Sequence, residues 1–178
     1  MKRDYMKKVA IIGSGGSGKS TLARRLGLAL DTNVWHLDQL LWKPNWTPVK
    51  REEQTEIQEA LVKNDKWIID GNYNSTLNIR LEAADTIIFL DISRYVCVYR
   101  VFKRMIKFRN KTRPDMKEGC HEKLNLKFLK WIWDYPKTKK PIVLAKLENL
   151  STEKEIIILR SSEEVEEFIN FVECKTKA

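Results

Sequence analysis

The feature of the sequence that most constrains the fold is a glycine-rich stretch near the N-terminus: Gly13, Ser14, Gly15, Gly16, Ser17, Gly18, Lys19, Ser20 and Thr21. It fits G-x-x-x-x-G-K-[ST], the phosphate-binding P-loop pattern. The β-branched apolar run Lys8–Ile12 before it is typical of a buried strand, and Leu22–Leu30 after it has the pattern of an amphipathic helix. Strand, loop and helix in this order favour a phosphate site over an ordinary Gly/Ser-rich turn.

Each residue type in this stretch has a chemical role toward a nucleotide. Glycines allow backbone N–H groups to converge on phosphate oxygens at the N-terminus of a helix. Lys19 is predicted to reach the β- and γ-phosphates, Ser20 to bind Mg²⁺ through its hydroxyl, and Thr21 to contact the region of the α-phosphate. The stretch therefore predicts ATP and Mg²⁺ as cofactors.

The rest of the chain alternates strand and helix patterns. Four further strands are predicted at 33–38, 66–72, 86–91 and 155–159, with helical patterns at 50–63, 75–83, 94–110, 121–133 and 162–171 and a further helical stretch at 142–147. This alternation predicts an α/β fold, a parallel sheet with helices on both faces. At 178 residues and 43% hydrophobic content, we expect a single domain over residues 1–178.

Three aspartates are predicted to end strands: Asp38, Asp70 and Asp91. Ligands of open parallel sheets gather at the carboxyl ends of the strands, where the P-loop also lies. Asp38 and Asp70 are therefore candidates for catalysis and substrate binding, and Asp38 joins Ser20 as a candidate metal ligand. The alternative is that each aspartate caps the following turn or helix, and for Asp91 the two interpretations are equally open.

The net charge of +9 is concentrated between Arg94 and Lys146, a segment that contains sixteen Lys or Arg residues and four acidic residues. Arg104 and Arg113 are candidates for catalysis, because phosphoryl transfer needs positive charge around the moving group. A mobile lid at about residues 104–120 would supply that charge and exclude water. Arg80 is a candidate for binding an anionic group of the acceptor. The alternative for any single arginine is a solvated cationic face.

Other features bear on the acceptor and on the setting. Trp42 and Trp46 lie in a proline-bearing excursion beside Asp38, so Trp42 is a candidate wall for a ring-bearing acceptor, with lid packing as the alternative. No apolar run of 18 residues and no convincing signal peptide is present, and the three cysteines suggest neither a disulfide framework nor a zinc site. These features predict a cytoplasmic protein without a membrane partner.

The chain resembles the adenylate-kinase-like nucleoside and nucleotide kinases in Gly13–Thr21, in Trp67–Gly71 and in its basic lid. It resembles more closely the DNA topology modulation proteins of FlaR type. That closer resemblance rests on segments spread over nearly the whole chain: His36–Asp38 with Trp42 and Trp46, Asp70–Tyr73, Ala84–Asp91, Arg113–Met116 and Gly119–Lys123.

The resemblance implies a three-layer P-loop NTPase fold with a five-stranded parallel sheet in the order 2-3-1-4-5, ATP and Mg²⁺, and a helical lid near residues 104–120. It does not imply an acceptor. Asn72 and Tyr73 follow Asp70-Gly71, where adenylate kinases carry Phe-Pro-Arg, so the arginine that holds a nucleoside monophosphate is missing from that position.

Two functions remain open from the sequence. The first is an ATP- and Mg²⁺-dependent kinase for a small-molecule acceptor that could be a nucleoside or a nucleotide. The second is a nucleotide-regulated DNA-binding protein that affects DNA topology through the basic segment, although the sequence shows no base-reading module. Contacts to the DNA backbone alone would give salt-sensitive, sequence-indifferent binding. The oligomeric state is not predicted.

Overall fold

The structure, a computed structural model, describes residues 6–123 and 125–177. The strands are β1 (Lys8–Gly13), β2 (Val34–His36), β3 (Trp42–Lys43), β4 (Thr47–Pro48), β5 (Trp67–Asp70), β6 (Thr86–Leu90) and β7 (Glu155–Leu159). The helices are α1 (Lys19–Leu30), α2 (Leu37–Leu40), α3 (Arg51–Leu61), α4 (Leu77–Ala83), α5 (Arg94–Lys107), α6 (Leu126–Thr138), α7 (Lys140–Leu150) and α8 (Ser162–Lys177).

Five strands form one parallel sheet in the order β2-β5-β1-β6-β7. Numbered along the chain, these five strands have the order 2-3-1-4-5, which confirms the predicted fold. Strand β1 is central, pairing Ile11 with Asp70 of β5 and Gly13 with Leu90 of β6. The glycine-rich stretch that follows β1 therefore begins beside the carboxyl ends of both neighbours.

Helices cover both faces of the sheet and form a hydrophobic core on each. The side chains of β1 alternate between these two cores. Val9 and Ile11 belong to one hydrophobic cluster, together with Leu22 of α1. Ala10 and Ile12 belong to the other. All of these residues are almost completely buried. A strand buried on both faces needs an unbroken apolar run, as the sequence of β1 has.

Two of the three predicted strand-end aspartates lie elsewhere. Asp70 is the last residue of β5, as predicted, but β2 already ends at His36 and β6 at Leu90. Asp38 lies in the single-turn helix α2, and Asp91 follows β6. The physical reason at Asp38 is that Leu37 and Leu41 are fully buried and lie one helical turn apart. The chain turns into a helix to bury both, and Asp38 is half-buried beside them.

The excursion from Gln39 to Pro48 contains a small antiparallel hairpin, in which Trp42 of β3 pairs with Pro48 of β4. A 3₁₀ turn at Pro44–Trp46 connects the two strands. Asn45 and Trp46 both have positive φ angles, 61° and 60°. The hairpin lies next to α2 and so brings two tryptophans close to Asp38.

The predicted lid is helical only at its start, because α5 ends at Lys107. From Phe108 to Lys123 the chain forms turns and loop, with an isolated bridge between Arg109 and Glu122. The next helix begins at Leu126, later than predicted, and the side chain of Asn125 accepts a hydrogen bond from the Phe128 N–H at its first turn. None of the described helices is both long and apolar enough to cross a membrane.

Candidate active site

A cavity of about 1170 Å³ opens at the carboxyl edge of the sheet. It brings together most of the predicted site residues: Gly15, Gly16, Ser17, Gly18, Lys19, Ser20, Thr21, Asp38, Trp42, Asp70, Arg104 and Arg113. Gly13, Ser14 and Arg80 are the predicted residues that do not line it. Residues separated by almost a hundred positions in the sequence thus share one chamber.

The glycine-rich loop needs glycine for two separate reasons. Gly16 and Gly18 have φ angles of +78° and +101°, in the left-handed region that side chains disfavour. A Cβ atom on Gly16 would also lie 2.4 Å from the carbonyl oxygen of Cys97 in α5. The loop is therefore packed tightly against α5, and its residues Gly15 to Gly18 line the cavity.

Lys19 and two serines of this loop carry hydrogen-bond donors. The Lys19 ammonium donates to the carbonyl oxygens of Gly13 and Ser14, at 3.1 and 2.7 Å. Burial lowers the pKa of Lys19, while the charges of Asp70 and Asp38 act in the opposite direction. The hydroxyls of Ser14 and Ser17 are buried and have no hydrogen-bond partner among the described residues. Buried polar groups are normally bonded, so the hydroxyl of Ser17, which lines the cavity, fits a phosphate ligand.

Arg100 of α5 bonds both the P-loop and the first residue of α8, the helix that follows the edge strand β7. Its guanidinium donates to the carbonyl oxygen of Ser17 at 3.0 Å and to the hydroxyl of Ser162 at 2.9 Å. Arg100 and Arg104 lie four residues apart in α5 and so share one face of the helix, and Arg100 bonds the backbone of the loop. This arginine connects the P-loop to the N-terminus of α8.

His36 and Asp70 form a buried pair beneath the P-loop. The His36 Nδ1 lies 2.5 Å from one Asp70 oxygen, and the Ser20 hydroxyl donates to the other at 2.8 Å. Burial alone would lower the pKa of His36, but the hydrogen bond and charge of Asp70 outweigh it and raise that pKa. Ser20 with Asp70 is a suitable oxygen set for Mg²⁺. The Ser20 hydroxyl contacts Asp70 and not Asp38, its predicted metal-binding companion.

The pairing of His36 with Asp70 was not predicted from the sequence. It pairs with Asp70 because β2 and β5 are neighbours in the sheet and the register places these two residues opposite each other. A contact across 34 positions depends on strand order, which local periodicity does not contain.

Asp38 is positioned by a tyrosine. The Tyr73 hydroxyl donates to Asp38 at 2.8 Å, and a guanidinium nitrogen of Arg113 lies 3.9 Å from the other Asp38 oxygen. Burial and the charge of Asp38 raise the pKa of Tyr73 far above its ordinary range, so Tyr73 stays a donor. The Asp38 side chain is 44% exposed and lines the cavity. The contact of Tyr73 with Asp38 was not predicted from the sequence.

A cluster of buried charges closes the same side of the cavity. One Glu122 oxygen lies 2.9 Å from Nε of Arg104 and 2.7 Å from Nε of Arg113, as ion pairs without good hydrogen-bond angles. Arg113 also donates to Asp115 at 3.1 Å. Burial lowers the pKa of Arg104, and the neighbouring charge of Arg113 lowers it further. Burial would raise the pKa of Asp115, but Arg113 and the Ser20 hydroxyl outweigh it and lower that pKa.

The segment from Phe108 to Lys123, here called the lid segment, rests on the tryptophan hairpin. The Trp46 indole donates to the carbonyl oxygen of His121 at 2.9 Å. The Cys120 thiol donates to the carbonyl oxygen of Lys43 at 3.2 Å, and the Gln39 side chain donates to that of Pro114 at 2.5 Å. These contacts hold the lid segment over the cavity.

Arg80 and Asp91 do not reach the cavity. Arg80 is fully buried and donates to Gln58 and, at 3.2 Å, to the carbonyl oxygen of Gly71. Burial lowers the pKa of Arg80 to about 10, so it remains charged beneath the Asp70-Gly71 turn. The predicted direct contact of Arg80 with an acceptor is therefore not part of the arrangement. Asp91 forms an ion pair with Lys140 at 2.7 Å.

Two of the lining tryptophans, Trp42 and Trp46, pack edge to face with ring centroids 5.6 Å apart. We call the part of the cavity that they share with the charged residues the acceptor end. Its residues are Asp38, Trp42, Trp46, Tyr73, Arg104, Arg113, Asp115 and Glu122. The P-loop forms the opposite end.

The fold is similar to solved structures of small-molecule kinases. A shikimate kinase from Acinetobacter baumannii, in complex with shikimate, has a TM-score of 0.64 at 12% identity, over 95% of this chain and 92% of that one. A gluconokinase from Sinorhizobium meliloti 1021 has a TM-score of 0.54 at 13% identity, over 97% and 93%. A sugar kinase from Janibacter sp. HTCC2649 has a TM-score of 0.50 at 16% identity, over 96% and 91%.

No protein-family model and no curated protein sequence matches the chain. The resemblance to the DNA topology modulation proteins is therefore not confirmed. At identities of 12–16% the solved structures establish the fold alone, and that fold is the one of P-loop kinases.

Proposed function

We propose that this protein is an ATP- and Mg²⁺-dependent kinase that phosphorylates a hydroxyl group of a small molecule. The observation that carries the proposal is that Asp38 lines the same cavity as the P-loop lysine, Lys19. Tyr73 orients this carboxylate and Arg113 lies beside it. A carboxylate held next to a phosphate site is what a kinase needs to accept the proton of an attacking hydroxyl.

The P-loop end supplies the nucleotide site. The backbone of Gly15–Gly18 and the Lys19 ammonium would hold the phosphates, and Ser20 with Asp70 would hold Mg²⁺. Bound Mg·ATP supplies the phosphoryl group and the metal's charge. The unpartnered hydroxyl of Ser17, which lines the cavity, supports this assignment, because a phosphate would give it an acceptor.

The acceptor end supplies the remaining groups. Asp38 accepts the proton of the acceptor hydroxyl, and Tyr73 keeps its carboxylate in place through a donated hydrogen bond. Arg104 and Arg113 lie where positive charge would stabilise the phosphoryl group in transit. The lid segment, resting on the hairpin, excludes water that would otherwise compete with the acceptor.

The comparisons agree with this class of reaction. The neighbours are described as shikimate kinase, gluconokinase and sugar kinase, and all three names denote transfer to hydroxyl-bearing small molecules. The alternative of nucleotide-regulated DNA binding has less support, because two arginines of the basic segment, Arg104 and Arg113, face the cavity and are paired with Glu122.

The test is the rate of ADP release from Mg·ATP in the presence of nucleosides, nucleoside monophosphates and small hydroxylated metabolites. We expect one class of compound to raise the rate well above the acceptor-free level. Asp38→Asn should lower the stimulated rate by about 10²–10⁴-fold while ATP affinity is kept.

The matched control is Asp65→Asn, since Asp65 is exposed and does not line the cavity. It should leave both the rate and ATP affinity unchanged. Stimulated transfer that persists in Asp38→Asn would show that this carboxylate is structural. ATP binding without stimulation by any compound would argue against a kinase, and a salt-dependent DNA titration would then follow.

A further inference from the structure

Both arginines of the acceptor end are already paired with carboxylates of the protein. Arg113 lies 2.7 Å from Glu122, 3.1 Å from Asp115 and 3.9 Å from Asp38. Arg104 shares the same Glu122 oxygen at 2.9 Å. The side chains of Arg113 and Glu122 are 7% and 5% exposed, so these pairs are shielded from water. Charge pairs gain strength in such a low-dielectric setting, and an incoming anion would have to break them.

The charges of the acceptor end do not favour an anion. Two guanidinium groups face three carboxylates there: Asp38, Asp115 and Glu122. Arg80 is fully buried and bonded to Gly71 and Gln58. Arg24 lines the cavity but is exposed. Lys107 and Lys123 also line the cavity, but both are exposed at its rim. Exposed charges are screened by water and salt and contribute little to binding.

The remaining surface of the acceptor end is aromatic. Trp42 and Trp46 present an edge-to-face pair, and the Tyr73 ring lies next to Asp38, to which its hydroxyl donates. Aromatic faces bind apolar or ring-shaped surfaces. Among the described residues of this end, the only exposed polar group beside these rings is the Asp38 side chain, which is 44% exposed. This combination suits a molecule that carries a hydroxyl and no negative charge.

From this arrangement we infer that the phosphoryl acceptor is an uncharged hydroxylated molecule with a ring or apolar face, and that anionic analogues are rejected. The inference rests on the proposed kinase function. In the reaction, the acceptor hydroxyl oxygen forms a bond to the γ-phosphorus and the bond from that phosphorus to the ADP oxygen breaks. The hydroxyl proton passes to Asp38 and then to solvent, which leaves ADP and the phosphorylated acceptor.

The experiment compares matched pairs of acceptors that differ by one anionic group. Nucleosides are tested against their 5′-monophosphates, and neutral sugars against the corresponding sugar acids and sugar phosphates. We expect kcat/KM for ADP release to be at least about tenfold higher for the neutral member of the productive pair, because like charges in contact are strongly unfavourable. An equal or higher value for the anionic member overturns the inference and leaves the kinase function standing.

Charge variants test the cause of this selectivity. Glu122→Gln removes one carboxylate and should shift the preference toward the anionic member by about tenfold. Asp115→Asn is the second variant, for the case that Glu122→Gln does not fold. An unchanged preference in the folded variants would overturn the electrostatic explanation. No stimulation by either member of any pair, with ATP bound, overturns the proposed function and this inference together.

An aromatic variant tests the other half of the inference. Trp42→Leu should raise KM for the neutral acceptor by about three- to tenfold without changing KM for ATP. Trp133→Leu is the matched control, because Trp133 is 43% exposed, packs on Tyr95 and does not line the cavity. Equal effects of the two substitutions on KM for the acceptor would remove Trp42 from acceptor recognition.

Discussion

The two ends of the cavity are built in different ways. The P-loop end is one continuous stretch of backbone, fixed by the central strand β1 before it and by α1 after it. The acceptor end is assembled from side chains of α2, the hairpin, α5 and the lid segment, and it is held by ion pairs such as Arg113 with Glu122. One end is made by chain geometry, and the other by charges brought together from distant positions.

This difference predicts how the two ends respond to change. A loop made of backbone tolerates few substitutions, since its shape depends on glycine φ angles and on close packing against Cys97. A cluster of paired charges depends less on backbone angles, so a substitution there changes the local charge and leaves the P-loop in place. We therefore expect the P-loop end to control whether ATP binds, and the acceptor end to control turnover and selectivity.

The largest effect is expected from Lys19→Ala. Among the described residues, the Lys19 ammonium bonds carbonyl oxygens of the loop itself, and Lys19 lines the cavity, so it lies where the phosphates would bind. Its loss should reduce ADP release by about 10³-fold, in the range seen when one transition-state contact is removed, and should weaken ATP binding. Turnover and calorimetric ATP titration measure the two effects.

The matched control for this prediction is Lys66→Ala, because Lys66 is exposed and lies outside the cavity. It should behave like the unchanged protein in both assays. Normal turnover in a folded Lys19→Ala protein would remove the P-loop from the mechanism.

The next effect is expected at the acceptor end, from Arg113→Ala. Turnover should fall by about 10²-fold because a positive charge beside Asp38 is lost, while ATP affinity changes little. The lid segment should also become more sensitive to trypsin, since Arg113 pairs with Glu122 and Asp115 within it. Turnover, ATP affinity and limited proteolysis are measured on the same preparation.

Arg109→Ala is the comparison for Arg113, because Arg109 lies in the same lid segment but is exposed. It should leave turnover near normal. If Arg113→Ala weakened ATP binding as strongly as Lys19→Ala, the separation of roles between the two ends would be wrong.

A smaller effect is expected from Gly16→Ala, a change of one methyl group. The added Cβ would lie 2.4 Å from the Cys97 carbonyl oxygen, and the φ angle of +78° is strained for alanine. We expect a loss of about 1–3 kcal/mol in the free energy of unfolding and weaker ATP binding. Urea denaturation measures the first quantity. Gly119→Ala, at a φ of +82° in the lid segment, should spare ATP binding.

The same contrast explains what the sequence could predict. Five strands, their order and the P-loop followed from a local motif, from apolar runs such as β1 and from the family resemblance, and the structure agrees. Lys19, Ser20 and Asp70 were found because their positions follow directly from strand ends and the loop pattern.

The acceptor end was only partly predictable, because its contacts join residues that are far apart in the chain. Arg104 and Arg113 were expected from charge alone, but their shared partner Glu122 was counted only as one acid in a basic segment. Arg80 was predicted to face an acceptor, and it is buried because α4 packs its side chain under Gly71. Pairing across a fold depends on strand order and loop course, which residue types do not reveal.

The smallest effect is a pH dependence that involves His36, measured without nucleotide or magnesium. Asp70 raises the pKa of His36 above its ordinary value of 6.5, so the folded protein favours protonated His36. This stabilisation is complete below pH 6.5 and is lost as the pH rises through the raised pKa. The free energy of unfolding of the unchanged protein should therefore exceed that of the His36→Gln variant by about 1 kcal/mol at pH 6. At pH 9 the difference should be smaller. A difference that grows with pH in urea denaturation would show that His36 is neutral when paired with Asp70.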